Sequence, residues 1–283
     1  MSIRISLIQT SQNRRNELTR FVNSLTVQKN IDFNRIQLIF VDQENNGDIF
    51  KPLDGIVELK IIKTEHCSLS HARNLALPFV KGDVVCFPDD DCWYEADTLY
   101  KVICFFEFHP EYDGVSGIGL NENNILTHVF PAKAQGITSE NRCAAISYTM
   151  FYRFQDAVRF NEDIGVGSSY NLGAGEETDY MLNLMEKYNY KMFYDPNIVV
   201  HHPAPSDCCD KKGMLKKRYS YSRGAGYLMR LHKFSVRYCV RSFIRPFGGA
   251  CIYCLRGDFY KMKMYMYIIK GLIEGYYFKK KHS

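Results

Sequence analysis

Asp89-Asp90-Asp91 follows the apolar run Val84-Val85-Cys86-Phe87-Pro88. The run has the length and β-branched content of a buried strand. Three carboxylates packed at its end repel one another, and an outside cation is what makes such a cluster tolerable. Mg²⁺ or Mn²⁺ supplies that charge and prefers hard oxygen ligands. In an α/β sheet the carboxyl ends of the strands are also where ligands bind. A solvated turn capping the next helix would explain one aspartate, but it does not explain three. The segment predicts a divalent metal at the mouth of a sheet, placed to hold a phosphate.

The flanking sequence predicts that sheet. Apolar strand signals at 3–9, 37–41, 57–62, 84–87 and 115–120 alternate with helical patterns at 15–28, 70–79 and 95–108. Leu18, Phe21, Val22 and Leu25 form one helical face, and Ala72, Leu75, Ala76 and Phe79 another. Such alternation predicts an α/β fold with a mainly parallel sheet. Residues 121–138 read as a polar excursion. Residues 159–175, with Gly165, Gly167, Gly173 and Gly175, read as a long functional loop. A helix over 177–188 and short strands at 192–194 and 198–200 follow. Pro203 and Pro205 mark a boundary, predicting a catalytic domain over 1–205 and a helical extension over 206–283.

Other candidates cluster at predicted strand ends. Thr10, Asn13 and Arg14 follow the first strand, Asp42 ends the second, and Arg73 lies on the helix before the aspartates. In a nucleotide site such an Asp accepts bonds from a base or ribose, and an Arg pairs with phosphate. Gly175-Glu176-Glu177-Thr178-Asp179 opens a helix, where acidic residues offset the dipole. Coming after a glycine-rich loop, one of these carboxylates could instead act as general base for a hydroxyl. His201-His202-Pro203 offers an imidazole to the metal from either histidine.

The 283 residues carry a net charge of +5, with 46% hydrophobic and 24% charged residues, enough for a substantial core. From Lys211 onward Lys and Arg alternate with Tyr, Phe, Met and Ile at helical spacing. This predicts helices on an anionic membrane face. No apolar run approaches the ~20 residues of a membrane span, and no signal-peptide core precedes the first strand. The ten cysteines form no regular framework and predict reduced thiols and a cytoplasmic, peripheral membrane location. Cys251 and Cys254 lack the second pair of a zinc site. The adjacent Cys208 and Cys209 are poorly spaced for chelation.

The ordered set Thr10-Ser11-Gln12-Asn13-Arg14, Phe40-Val41-Asp42, Ala72-Arg73-Asn74-Leu75-Ala76, Phe87 to Tyr94, Phe160 to Gly167, Gly175 to Asp179 and Pro196 to Pro203 resembles the family 2 glycosyltransferases. The resemblance spans roughly residues 1 to 205 and implies the GT-A fold. It implies inverting sugar transfer from a nucleotide-sugar donor, commonly a UDP-sugar, with Mg²⁺ or Mn²⁺. By position it puts Asp42 on the nucleobase side, Arg73 near base or diphosphate, and Asp89 and Asp91 around an Asp-x-Asp motif. Asp90 lies between them, and Asp91 is the direct metal ligand. It makes His202 the metal-proximal histidine. Glu177 holds the place where relatives carry an Asp base, with Asp179 the rival. Acceptors implied are glycans or lipid-linked glycans of surface polysaccharide. A nucleotidyltransferase also uses carboxylates at a sheet mouth, but residues 10–15 lack its glycine-rich triphosphate loop. A nucleic-acid-binding module would use the basic tail yet leave the acidic clusters unexplained.

Overall fold

The computed structural model describes residues 3–139, 141, 145–203 and 210–280. The chain divides into two compact units. One holds residues 1–67, 71–160 and 180–206, and the other residues 68–70, 161–179 and 207–283. The expected boundary at residue 205 lies outside the described residues. The glycine-rich loop, expected in the catalytic domain, belongs to the unit of the C-terminal helices.

The first unit is built on a nine-stranded mixed sheet. Its strands are β1 (Ile5–Ser11), β2 (Ile36–Asp42), β3 (Glu58–Lys63), β4 (Val84–Cys86), β5 (Trp93–Tyr94), β6 (Gly114–Leu120), β7 (Gln135–Ile137), β8 (Met150–Arg153) and β9 (Met192–His201). The order is β3-β2-β1-β4-β8-β6-β9-β5, with β7 also on β9. Pairing is parallel along β3-β2-β1-β4 and between β6 and β9. It turns antiparallel where β8 enters between β4 and β6, and where β5 and β7 meet β9. Helices α1 (Arg15–Thr26), α2 (Leu69–Ala76), α3 (Thr98–Phe108) and α4 (Glu176–Tyr188) complete the α/β part of the chain.

β1 and β2 are buried along their whole length, as strands covered on both faces must be. Phe21, Val22 and Leu25 of α1 and Leu99, Val102 and Phe106 of α3 join one core with Ile5, Leu7, Leu38 and Phe40. Each such side chain contributes about 1.5–3 kcal/mol by leaving water. Buried Ser6 and Gln37 satisfy each other: Ser6 Oγ donates to Gln37 Oε1 at 2.5 Å, and Lys81 N donates to the same oxygen at 3.0 Å.

Phe79 departs from expectation. The helix ends at Ala76 and tightens into a 3₁₀ turn over Leu77–Phe79, with Pro78 inside it. The tighter winding changes the facing of later residues. Phe79 therefore points outward, 41% exposed, with the Lys60 ammonium 4.3 Å from its ring centre.

The second unit contains α5 (Lys211–Leu231), α6 (Val236–Leu255) and α7 (Phe259–Tyr276). Each has a side-chain N-cap: Asp210 accepts from Gly213 N, Ser235 from Tyr238 N and Asp258 from Lys261 N. α5 and α7 cross closely because glycines face backbone. A Cβ on Gly275 would lie 2.0 Å from Arg223 O, and one on Gly226 would lie 2.2 Å from Leu272 O. Within this unit the glycine-rich loop is tied to α5. Gly173 N donates to Ser220 O at 3.1 Å, Arg223 donates to Tyr170 O at 3.0 Å, and Ile164 and Leu172 pack with Leu228. Among the described residues no helix is long and apolar enough to cross a membrane.

Candidate metal and donor site

The three aspartates leave β4 in a tight turn, where Cys92 N donates to Asp89 O at 3.2 Å. The turn gives each carboxylate different neighbours. Asp89 Oδ1 accepts from the buried Arg73 guanidinium at 3.2 Å. That guanidinium lies 5.6 Å and 5.2 Å from the ring centres of Phe87 and Phe160. Asp90 turns back toward β1. It accepts from Ser11 Oγ at 2.8 Å and lies 3.2 Å from Arg14 Nη1. Burial pushes its carboxyl above the ordinary value against the opposing pull of Arg14. Asp91 accepts from Arg14 Nη1 at 2.5 Å, and its other oxygen is 3.1 Å from His202 Nε2.

The residue β9 delivers to this cluster is His202. Its backbone N donates to Leu120 O at 2.8 Å, fixing it beside β6. Its ring stacks on Tyr148, centroids 4.6 Å apart, and Nδ1 is 2.9 Å from Pro203 O. Burial opposes protonation, but the bond and charge of Asp91 outweigh it and hold the imidazole above its ordinary pKa. Burial likewise works against ionised Asp91. His202 and Arg14 prevail and keep that carboxyl below its usual range. The same two aspartates raise Arg14 against its own desolvation.

Asp89, Asp91 and His202 each present a ligand atom, all within 4.8 Å of one another. Two hard carboxylate oxygens and one imidazole nitrogen suit a divalent ion of the Mg²⁺ or Mn²⁺ kind. These are the three residues that the sequence set aside as ligands. His201 faces elsewhere. It stacks on Trp93 at 5.1 Å, and its Nε2 is 3.4 Å from Glu95 Oε1. The Arg20 guanidinium covers the Trp93 ring at 3.7 Å and donates to Asp91 O at 2.8 Å. The exposed thiols Cys251 and Cys254 lie in the other unit, and Cys208 and Cys209 lie outside the described residues.

The donor-side candidates differ in their availability. Asp42 is 1% exposed. Its carboxylate accepts from the backbone N of Glu44, Asn46 and Gly47 at 3.1, 2.9 and 2.9 Å. It thus shapes the loop after β2. Thr10 is buried near the end of β1, and Asn13 adopts a left-handed φ of 57° at the turn into α1. Gln12, Gln43 and Cys67 cross-link the strand-end loops: Gln43 Oε1 accepts from Gln12 Nε2 at 3.0 Å and Cys67 N at 2.8 Å. Sequence reasoning missed Gln43, Arg20 and Tyr148. Only Gln43, beside Asp42 at a strand end, carried a usable positional signal.

In the second unit, Glu177 and Asp179 sit in the first turn of α4. Asp179 is buried, and its Oδ1 lies 2.8 Å from His232 Nε2 at the end of α5. Glu177 is partly exposed. The two carboxylates proposed by the sequence are therefore not equivalent: one is locked into a buried pair and the other has access to solvent.

The model of glycosyl transferase family 2 matches residues 6–171. The fold agrees with solved glycosyltransferases. Staphylococcus aureus TarS 1-349 superposes with a TM-score of 0.60 at 17% identity, covering 98% of this chain and 93% of that one. The same protein in complex with UDP-GlcNAc gives 0.59 at 14% identity, covering 98% and 93%. Mannosyltransferase PcManGT from Pyrobaculum calidifontis in complex with GDP-Man and Mn²⁺ gives 0.60 at 13% identity, covering 98% and 88%. No curated sequence matches the chain significantly. The chain belongs to glycosyl transferase family 2, and it is a glycosyltransferase of the GT-A type with a helical C-terminal region.

Proposed function

We propose that this glycosyltransferase transfers a sugar, with inversion, from a UDP-sugar to a hydroxyl of a glycan or lipid-linked glycan during surface-polysaccharide synthesis. The observation that carries the reading is the convergence of Asp89, Asp91 and His202 at the end of β4. Mn²⁺ or Mg²⁺ held there would neutralise charge developing on a departing diphosphate. The structural relatives solved with UDP-GlcNAc and with GDP-Man and Mn²⁺ support a nucleotide-sugar donor.

The chain's own residues divide the work. Arg14 is half exposed and holds Asp91 and Asp90, so it is available to turn toward diphosphate oxygens. Arg73 holds Asp89 in place from a buried position. Thr10, Asn13 and the Asp42-shaped loop form the nucleoside side. Glu177 takes the proton of the attacking hydroxyl as the bond to the anomeric carbon forms. Its partial exposure favours it over Asp179. The basic aromatic helices place the enzyme at the cytoplasmic face of an anionic membrane, where a lipid-linked acceptor resides.

The test is a panel of UDP-, GDP- and dTDP-sugars incubated with the protein and Mn²⁺, with release of nucleoside diphosphate as readout. Release confined to UDP-sugars and abolished by chelator is expected. Release from GDP-sugars alone would overturn the donor assignment, and release insensitive to chelator would overturn the metal's role.

A further inference from the structure

α6 carries two different faces. One packs against α7: Pro246 and Ala250 are buried, and Gly249 lies so close to Tyr265 that a Cβ there would be 2.7 Å from the ring. The other has no partner among the described residues. Val236, Val240, Ile244, Phe247, Cys251 and Leu255 recur every three or four residues, and all are exposed. Val236 is 79% and Leu255 90% exposed. At helical rise this stripe runs roughly 30 Å. Phe259, which opens α7, extends it around the turn at 66% exposed. So long an apolar face on one helix marks a surface that something covers.

Charge indicates what covers it. Arg237, Arg241 and Arg245 each follow a stripe residue by one position, so they border the stripe as a row. α6 contains no Asp or Glu. A symmetric pairing of two copies through this face would bring arginine rows together with no carboxylate on the helix to neutralise them. A bilayer with anionic headgroups accepts both features, taking the apolar side chains at the acyl boundary and the guanidiniums at the phosphate level. Beside the turn, Tyr260 and the lysines 211, 212, 216 and 263 line a cavity of about 420 Å³ between α5 and α7. Tyr260 Oη donates to Lys211 O at 3.3 Å, which ties the cavity to the start of α7. Lysine ammoniums around a small cavity suit a phosphate group.

We propose that α6 lies in the surface of an anionic bilayer, with its stripe and Phe259 inserted and the lysine cavity holding a phosphodiester headgroup. This refines the proposed membrane location and is independent of the donor chemistry.

The test floats the full chain with vesicles of phosphatidylcholine, alone or with an equal part of phosphatidylglycerol. Wild type should float only with the anionic vesicles. Ile244→Asp/Phe247→Asp should lower partition by about tenfold or more while UDP with Mn²⁺ still raises its melting temperature. Phe247→Trp should gain emission that brominated acyl chains quench. Lys216→Glu/Lys263→Glu should weaken flotation. Flotation without quenching of Phe247→Trp would overturn insertion. A wild-type oligomer that the double aspartate variant dissociates, with no vesicle binding, would make the face a protein interface. Unchanged flotation of the lysine variant would remove the cavity from the surface.

Discussion

His202 Nε2 lies 3.1 Å from Oδ1 of Asp91, joining the end of β9 to the end of β4. The pair is self-satisfied when the imidazole is protonated, and a protonated imidazole has no lone pair for a metal. Asp91 raises the His202 pKa above its ordinary value. Mn²⁺ affinity should therefore be low at acid pH and should rise as pH climbs through that raised value, because binding must displace the proton. Isothermal titration with Mn²⁺ across pH 5 to 8, roughly the range in which histidines titrate, checks this. In His202→Ala the pH dependence should flatten. A steep dependence surviving in that variant would contradict the assignment.

Glu177 and Asp179 should separate cleanly on substitution. Glu177→Gln should keep its melting temperature and UDP binding yet transfer sugar ~10²–10⁴ times more slowly. Asp179→Ala should instead destabilise the protein by about 1–3 kcal/mol, because it removes a buried partner of His232. Thermal melts and turnover on both variants decide. Normal transfer by Glu177→Gln would pass the base role to another group.

Arg73 is fully buried beneath Asp89. Arg73→Met should remove the charge beside Asp89 and cost roughly 2–4 kcal/mol of stability, since an acceptor loses its ionic donor. Mn²⁺ affinity should fall with it, because Asp89 loses its orientation. Chemical denaturation followed by Mn²⁺ titration measures both.

Gly275 faces the Arg223 carbonyl, leaving no room for a methyl group. Gly275→Ala should force α5 and α7 apart and cost about 1–3 kcal/mol. Gly257→Ala, where nothing lies within 4 Å but φ is +70°, should cost less, about 1 kcal/mol. Paired melting curves check the ranking.

The aspartate cluster was legible because charge repulsion is a local property that three adjacent letters display. The main strands and helices of the first unit were legible for a similar reason: apolar periodicity in 36–42 or 98–108 is local. β8 over Met150–Arg153 was not, since four residues carry no period, and its insertion between β4 and β6 is decided by long-range pairing. The separate fates of Asp89, Asp90 and Asp91 were equally hidden. They depend on Arg73, Ser11, Arg14 and His202, which only the fold brings near. The glycine-rich loop was recognised as a loop, but its packing partners were not. Its contacts with Ser220, Arg223 and Leu228 span about fifty residues of sequence.

The most direct test of the account is UDP binding by calorimetry, with and without Mn²⁺, in wild type and Asp91→Asn. The substitution preserves shape and removes one charge and one hard ligand. Wild type should bind UDP tightly with Mn²⁺ and at least ~10-fold more weakly in chelator. Asp91→Asn should bind weakly in both while remaining folded, with a modestly lower melting temperature because Arg14 and His202 lose their anionic partner. Equal UDP affinity in all four conditions would contradict a metal-held diphosphate at the end of β4.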